Sequence, residues 1–219
     1  RPEQVALCAE AMKGDGPLPD LLCLCEVESL LALRVFNQAN LAGHYPYALL
    51  IDSYDFRQID VAVLSRKEIL SVRTHVDDVG TDGKRTFSRD CLELKVALTR
   101  SASRTFTVLV NHLKSKFVET RGKTPAQVRA EQQAAAERRR RQALAVRSIL
   151  RHRFPGQAYG AAAFAVVGDF NAAPGEPSVA RMVSSDSDLR WVPSTSTGEP
   201  ARESTRVPKV RRKYIDPAS

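Results

Sequence analysis

Seven strand-like apolar runs, with only three helical stretches among them, constrain the fold of this chain more than any other feature of its sequence. In order they are "DLLCLCEV", "YPYALLI", "IDVAVLSR", "ILSVRTHV", "RDCLELKVAL", "RTFTVLVNHL" and "AAFAVVGDFN". Short runs of this kind, bounded by turn residues, suit buried or half-buried strands. The fifth and sixth, joined by a polar link around Ser101 to Ser103, predict an antiparallel pair. Strands that arrive in series predict an α+β chain, with mainly antiparallel sheets packed together and helices outside. A regular β-α alternation would have predicted a parallel sheet.

Val5 to Lys13 predicts a helix ended by Gly14, and "SLLALRVFNQANLAG" a second, capped by Ser29 and stopped by Gly43. Ala126 to Arg153 predicts the longest, with Ala143, Val146, Ile149 and Leu150 as its apolar stripe. Its basic run, Arg138 to Arg141, reads as the solvated back of the helix rather than as a nucleic-acid contact. From Ser194 to Lys213 the chain is polar and predicted to be irregular, and no internal repeat is visible. With 219 residues, of which 43% are hydrophobic, the chain can bury a core as one domain, residues 1–219.

A net charge of +8 favours polyanions as partners: nucleic acid, phosphorylated small molecules or acidic membranes. No apolar segment approaches the roughly 20 residues that cross a bilayer, and Arg1 to Gly14 lacks the layout of a signal peptide. The expectation is a soluble monomer, cytoplasmic or secreted with a leader outside this chain. Cys8, Cys23, Cys25 and Cys91 lack a metal-finger spacing and read as small buried residues. Cys23 and Cys25 lie too close on one extended segment to bridge readily, so nothing demands an oxidising compartment.

Chemistry gathers at the ends of three runs. A carboxylate at the end of a buried strand is costly unless it is hydrogen-bonded or holds a cation. Glu26 and Asp169 both stand there; each alone reads equally as a strand-end cap or salt-bridge partner. Together with Asn171 they are hard oxygen donors of the kind Mg²⁺ or Mn²⁺ prefers. Strand alternation is expected to bring Asp169 and Asn171 to one face, with Gly168 allowing close backbone approach and Pro174 ending the strand. "VNHLKSK" adds Asn111, His112, Lys114 and Lys116 near one edge. A lone histidine is more often structural, but a phosphodiester needs a proton donor and positive charge near its non-bridging oxygens.

"LCLCEVES", "RQIDVAVLSR", "FSRDCLEL", "VNHLKSK", the "RRRRQA" helix and "VVGDFNAAPGEPS", in this order and spacing, resemble the endonuclease/exonuclease/phosphatase superfamily. The narrower resemblance is to its bacterial nuclease-like branch, related to deoxyribonuclease I. It spans roughly Ala6 to Pro177 and implies a four-layered α/β sandwich with the site at one edge of two packed sheets. It further implies that Glu26 binds metal, that Asp169 and Asn171 hold metal, nucleophile and phosphate, and that His112 contacts the scissile phosphate or acts as general acid. Arg89 would lie near the phosphate, with Asp90 beside it, and Asp60 would orient His112. The phosphate set is then Arg89, Asn111, Lys114 and Lys116.

The sequence also departs from the family pattern. Members usually begin with an Asn-bearing strand and end with an Asp-His whose histidine activates water. Here Arg1 starts after the first, and none of His44, His75, His112 or His152 follows Asp169. Tyr214-Ile215-Asp216 looks like the start of the penultimate strand, with Asp216 as a further orienting acid, and Cys25 stands where glutamine is common. The expectation is a domain incomplete at both termini. Its function is expected to be Mg²⁺- or Mn²⁺-dependent phosphodiester hydrolysis, most of all of DNA or RNA. The alternatives are a phospholipid or inositol-phosphate hydrolase, for which no exposed aromatic run stands out, and a non-catalytic binder of phosphate polymers.

Overall fold

The computed structural model describes residues 2–14, 16–156, 162–173 and 175–183. Strands β1 (Leu21–Val27), β2 (Tyr47–Leu50) and β3 (Asp60–Ser65) form an antiparallel sheet in the order β1-β3-β2. A second sheet has the order β4-β5-β6-β7, from β4 (Ile69–Arg73), β5 (Cys91–Ala97), β6 (Thr105–His112) and β7 (Phe164–Asp169). The expected β5–β6 pair is antiparallel, as is β4–β5, whereas β6 and β7 run parallel. A parallel pair needs a long crossover, and α3 (Pro125–Arg153) lies within it.

Period-two burial builds the layers. Val61 and Val63 of β3 meet Leu92, Leu94, Val108 and Val110 in a core between the sheets. Their neighbours Ala62 and Leu64 face outward, into a core shared with Ala9 of α1 (Pro2–Lys13) and Leu33 of α2 (Leu30–Asn40). On the opposite outer face, Cys91 and Leu109 pack with Ala143, Val146 and Leu150 of α3 and Val179 of α4 (Pro177–Ala180). The result is helix, sheet, sheet, helix, the expected α+β sandwich.

The cap of α2 is the one the sequence announces, and that of α3 is added by the structure. The Ser29 hydroxyl accepts from the Ala32 N–H at 3.1 Å, and Thr124 and Gln127 form a capping box ahead of Pro125. Two expectations are corrected. The basic run of α3 is not uniformly solvated, since Arg139 is buried while Arg141 stays exposed. Four consecutive residues sweep about 300° around a helix, so one of them must turn inward. Of the cysteines only Cys91 is fully buried; all four are free thiols and the other three are half-buried. Among the described residues no helix is long and apolar enough to cross a membrane.

Candidate active site

β1, β6 and β7 end, and β3 and β5 begin, at one edge of the sandwich, as their pairing directions require. In the β6–β7 register His112 lies opposite Asp169 and Asn111 opposite Gly168. The two sheets touch here: the Cys25 thiol donates to the Asn111 carbonyl at 3.5 Å, and His112 Nε2 stands 4.0 Å from Glu26 Oε1.

The backbone is distorted at this edge. The β1–β3 register slips between Leu24 and Val27, and inside that irregularity Glu26 takes φ 62°. Asp90 and Asn171 also have positive φ, 62° and 50°. Non-glycine residues with positive φ are uncommon and gather where the surrounding structure fixes them for a purpose. Asn171 is fixed by Asp169 Oδ1, which accepts its N–H at 2.8 Å, and by its own Nδ2, which donates to the Leu113 carbonyl at 3.0 Å. Asp169 and Asn171 therefore share no strand face: β7 stops at Asp169, and a side-chain-stabilised turn carries Asn171. Pro174 lies outside the described residues. Asp90 is a clasp rather than a ligand, since it accepts from the N–H groups of His75 and Cys91 and from the Thr74 hydroxyl.

Arg89 is the hub of the electrostatics. It is buried, with Nε 3.0 Å from Asp55 Oδ2 and a guanidinium N–H donating to His112 Nε2. Burial and then the Arg89 charge push the His112 pKa down to about 4. At neutral pH the imidazole is therefore uncharged, with Nε2 as acceptor and the proton on Nδ1, which is buried and has no hydrogen-bond partner among the described residues. Glu26 moves the other way: burial raises its pKa, Arg57 and Arg89 pull it down, and the Asp169 charge pushes it up again. Burial, then Arg89 and Arg138, lower the Lys114 pKa. Asp55 stays below the usual carboxylate range because hydrogen bonds from Arg57 and the charge of Arg89 outweigh its burial.

Glu26, Arg89, His112 and Asp169 thus converge, with Lys114 and Asn171 beside them. Other expected members stand elsewhere. Asp60 accepts from the Ser53 N–H at 3.0 Å instead of orienting His112, because it opens β3 and caps the loop before it. Asn111 is wholly buried, on the Leu109 face of β6 opposite the face of His112, and its Nδ2 donates to the Leu109 carbonyl. This corrects the expectation of a direct phosphate contact, and strand alternation is the reason. Lys116 is engaged by Glu176. Asp216 lies outside the described residues.

Asp55 and Arg57 have no counterpart in the sequence reading. Only a loop folded against Arg89 gives them a role, and no local motif marks it. Gln142 and Arg139, part of the "RRRRQA" helix in the sequence, gain a specific role only here. From α3 the Gln142 side chain accepts from the Lys114 N–H and donates to the Thr86 carbonyl, and Arg139 donates to the Lys114 carbonyl. They brace the segments that carry His112 and Arg89. Among the described residues no group of three or more His, Cys, Asp or Glu side chains could hold a metal. A two-carboxylate site still suits Mg²⁺, which takes one or two carboxylates and keeps waters. The mutual repulsion of Glu26 and Asp169 is the feature a cation between them would relieve.

A family model described as Endonuclease/Exonuclease/phosphatase family matches residues 2–216. The fold is similar to the crystal structure of SmcL, at 15% identity and a TM-score of 0.54 over 83% of this chain and 60% of that one. It is also similar to sphingomyelinase C from Streptomyces griseocarneus, at 19% identity and a TM-score of 0.52 over 83% and 61% of the two chains. TDP2 from C. elegans matches at 18% identity and a TM-score of 0.50 over 87% and 45%. The chain thus spans less than two thirds of each of these structures. No curated protein matches.

Proposed function

The chain belongs to the endonuclease/exonuclease/phosphatase family, and from that premise we propose that it is a Mg²⁺- or Mn²⁺-dependent phosphodiester hydrolase acting on nucleic acid. The observation that carries the reading is the meeting of Arg89, His112, Glu26 and Asp169 at one sheet edge. Glu26 and Asp169 would hold the cation, with Asn171 Oδ1 beside them. Such an ion polarises a phosphoryl oxygen and stabilises the charge that develops on it.

The protein's own groups do the rest. Arg89, fixed by Asp55, presents positive charge to the non-bridging oxygens without having to be ordered first. In the free protein that same guanidinium occupies His112 Nε2 and, added to burial, keeps the imidazole neutral. A phosphodiester anion placed against both would draw Arg89 to itself and favour a proton on His112, since an adjacent negative charge raises a histidine pKa. His112 would then be the donor for the departing oxygen. Lys114 adds positive charge on the same side.

A phospholipid is the second reading. Phe56 is 91% exposed, next to Asp55 and Arg57, and Phe117 is 73% exposed, so the chain presents two single aromatic side chains to solvent, though no aromatic run. Metal binding is tested by melting the wild type, Glu26→Ala and Asp169→Ala with and without millimolar Mg²⁺ or Mn²⁺. A cation at about 100 times its Kd adds about 2.7 kcal/mol, a rise of several degrees for a chain of this size. The expected result is that rise in the wild type alone, and indifference of the wild type removes the site. Plasmid nicking set beside headgroup release from sphingomyelin vesicles decides the substrate: nicking lost in Asp169→Ala supports the first reading, and headgroup release without nicking supports the second.

A further inference from the structure

Beside the site, a groove of about 620 Å³ runs between the 77–85 loop and α3, lined by Asp77, Val79, Lys84, Arg85, Arg138 and Arg141 among others. We propose that this groove is a second phosphate-binding subsite, which holds the backbone of a nucleic-acid strand next to the phosphodiester engaged by Arg89 and His112.

Its cations are unequally employed. Arg141 donates to Asp82 at 2.6 Å. Arg85 pairs with Asp77 at 3.4 Å and lies over the Tyr54 ring, 3.7 Å from the centroid. Lys84 and Arg138 have no carboxylate within ion-pair distance among the described residues. Two cations without an ion-pair partner among the described residues therefore line the groove, Lys84 within electrostatic reach of the Asp82 carboxylate and Arg138 on the helix wall. Arg138 and Arg141, three residues apart on α3, share a helix face and can line one wall together.

Both walls lead to the catalytic edge. Along α3, the Arg138 charge adds to burial and the Arg89 charge in lowering the Lys114 pKa, and Lys114 follows His112 by two residues. On the loop side, Arg85 stacks on Tyr54, whose neighbour Asp55 holds Arg89. A ligand with one phosphate has no use for a second cationic groove. A polymer with a phosphate at every unit does, and backbone contacts of this kind set the register of a strand without reading its sequence. Among the described residues Val79 is the one exposed large apolar side chain in the lining, which offers a bilayer little to insert against. The inference rests on the phosphodiesterase reading for its purpose, but its test needs no turnover.

The test is binding of a fluorescent oligonucleotide of about 20 nucleotides to the full chain across a salt series, for the wild type, Lys84→Ala/Arg138→Ala and Lys84→Arg/Arg138→Lys. Removing two phosphate contacts is expected to weaken binding about tenfold at low salt and to reduce the slope of log K against log salt by about 2. The charge-preserving pair should keep the wild-type slope. Hydrolysis of bis(p-nitrophenyl) phosphate, which has a single phosphate, should be equal in the wild type and Lys84→Ala. Unchanged affinity and slope in the alanine pair would overturn the proposal. So would loss of binding to phosphatidylserine vesicles with oligonucleotide affinity intact, which would assign the groove to a lipid surface. Groove-dependent strand binding without hydrolysis of any substrate sustains the groove and sinks the hydrolase reading; oligonucleotide cleavage indifferent to the alanine pair does the reverse.

Discussion

Gly168 shows how one residue sets the spacing of the catalytic edge. Its φ is 122°, and a Cβ there would stand 1.9 Å from the Asn111 carbonyl oxygen, in backbone that no rotamer change can move. β7 therefore approaches β6 as closely as it does only because nothing projects between them, which fixes His112 opposite Asp169. Gly168→Ala combines overpacking with a disfavoured φ, about 1 to 3 kcal/mol for each. The expected outcome is a fall of roughly 2 to 6 kcal/mol in urea unfolding. An unchanged midpoint would mean that β6 and β7 can part at no cost.

At the scale of elements, α3 does more than connect β6 to β7. It turns Gln142 and Arg139 into the layer below and ties down the two segments that carry His112 and Arg89. Gln142 is fully buried, so Gln142→Ala leaves the Lys114 N–H and the Thr86 carbonyl without that partner. A buried group left unsatisfied costs about 1 to 3 kcal/mol. Gln142→Ala is thus expected to lower the unfolding free energy by about 2 kcal/mol or more, with Gln142→Glu, which keeps the acceptor but not the donor, falling between. If the two variants unfold alike at the wild-type midpoint, the brace is incidental. The helix itself was legible from its apolar stripe. The inward pair was not, because Arg and Gln read as surface residues until a neighbouring layer offers them partners.

Across the whole molecule, a second charged cluster joins the 74–90 segment to the far end of α3. His75 is buried, with Nδ1 2.7 Å from Asp78 Oδ2 and Nε2 3.4 Å from Glu93 Oε2; Arg153 also pairs with Glu93, and Asp90 accepts the His75 N–H. Burial works to lower the His75 pKa, but the two carboxylates outweigh it and the pKa is raised. The folded state therefore binds the proton more tightly than the unfolded chain does. The stabilisation is complete below the unfolded value, about 6.5, and is lost as pH rises through the folded one. The Glu93 pKa is lowered, so its own contribution fades only as pH falls below the ordinary carboxylate range. Urea midpoints from about pH 6 to about pH 9 should fall in the wild type relative to His75→Gln. Parallel curves would show that His75 does not hold its proton in the fold.

By itself the sequence determined the elements, the α+β class and the identity of the chemically able residues at strand ends. Those properties are local: apolar period, turn chemistry, caps, and carboxylates where apolar runs stop. Glu26, His112 and Asp169 could be picked out because each ends its own run. Only the tertiary structure decided which of them meet. Alternation on β6 turned Asn111 away from His112, and the Ser53 loop took Asp60. Arg89 acquired Asp55 and His112 from segments distant in sequence, and the φ 62° irregularity re-aimed Glu26. Such contacts depend on register, twist and the distance between two sheets, quantities that no single segment encodes, since each arises where the layers pack.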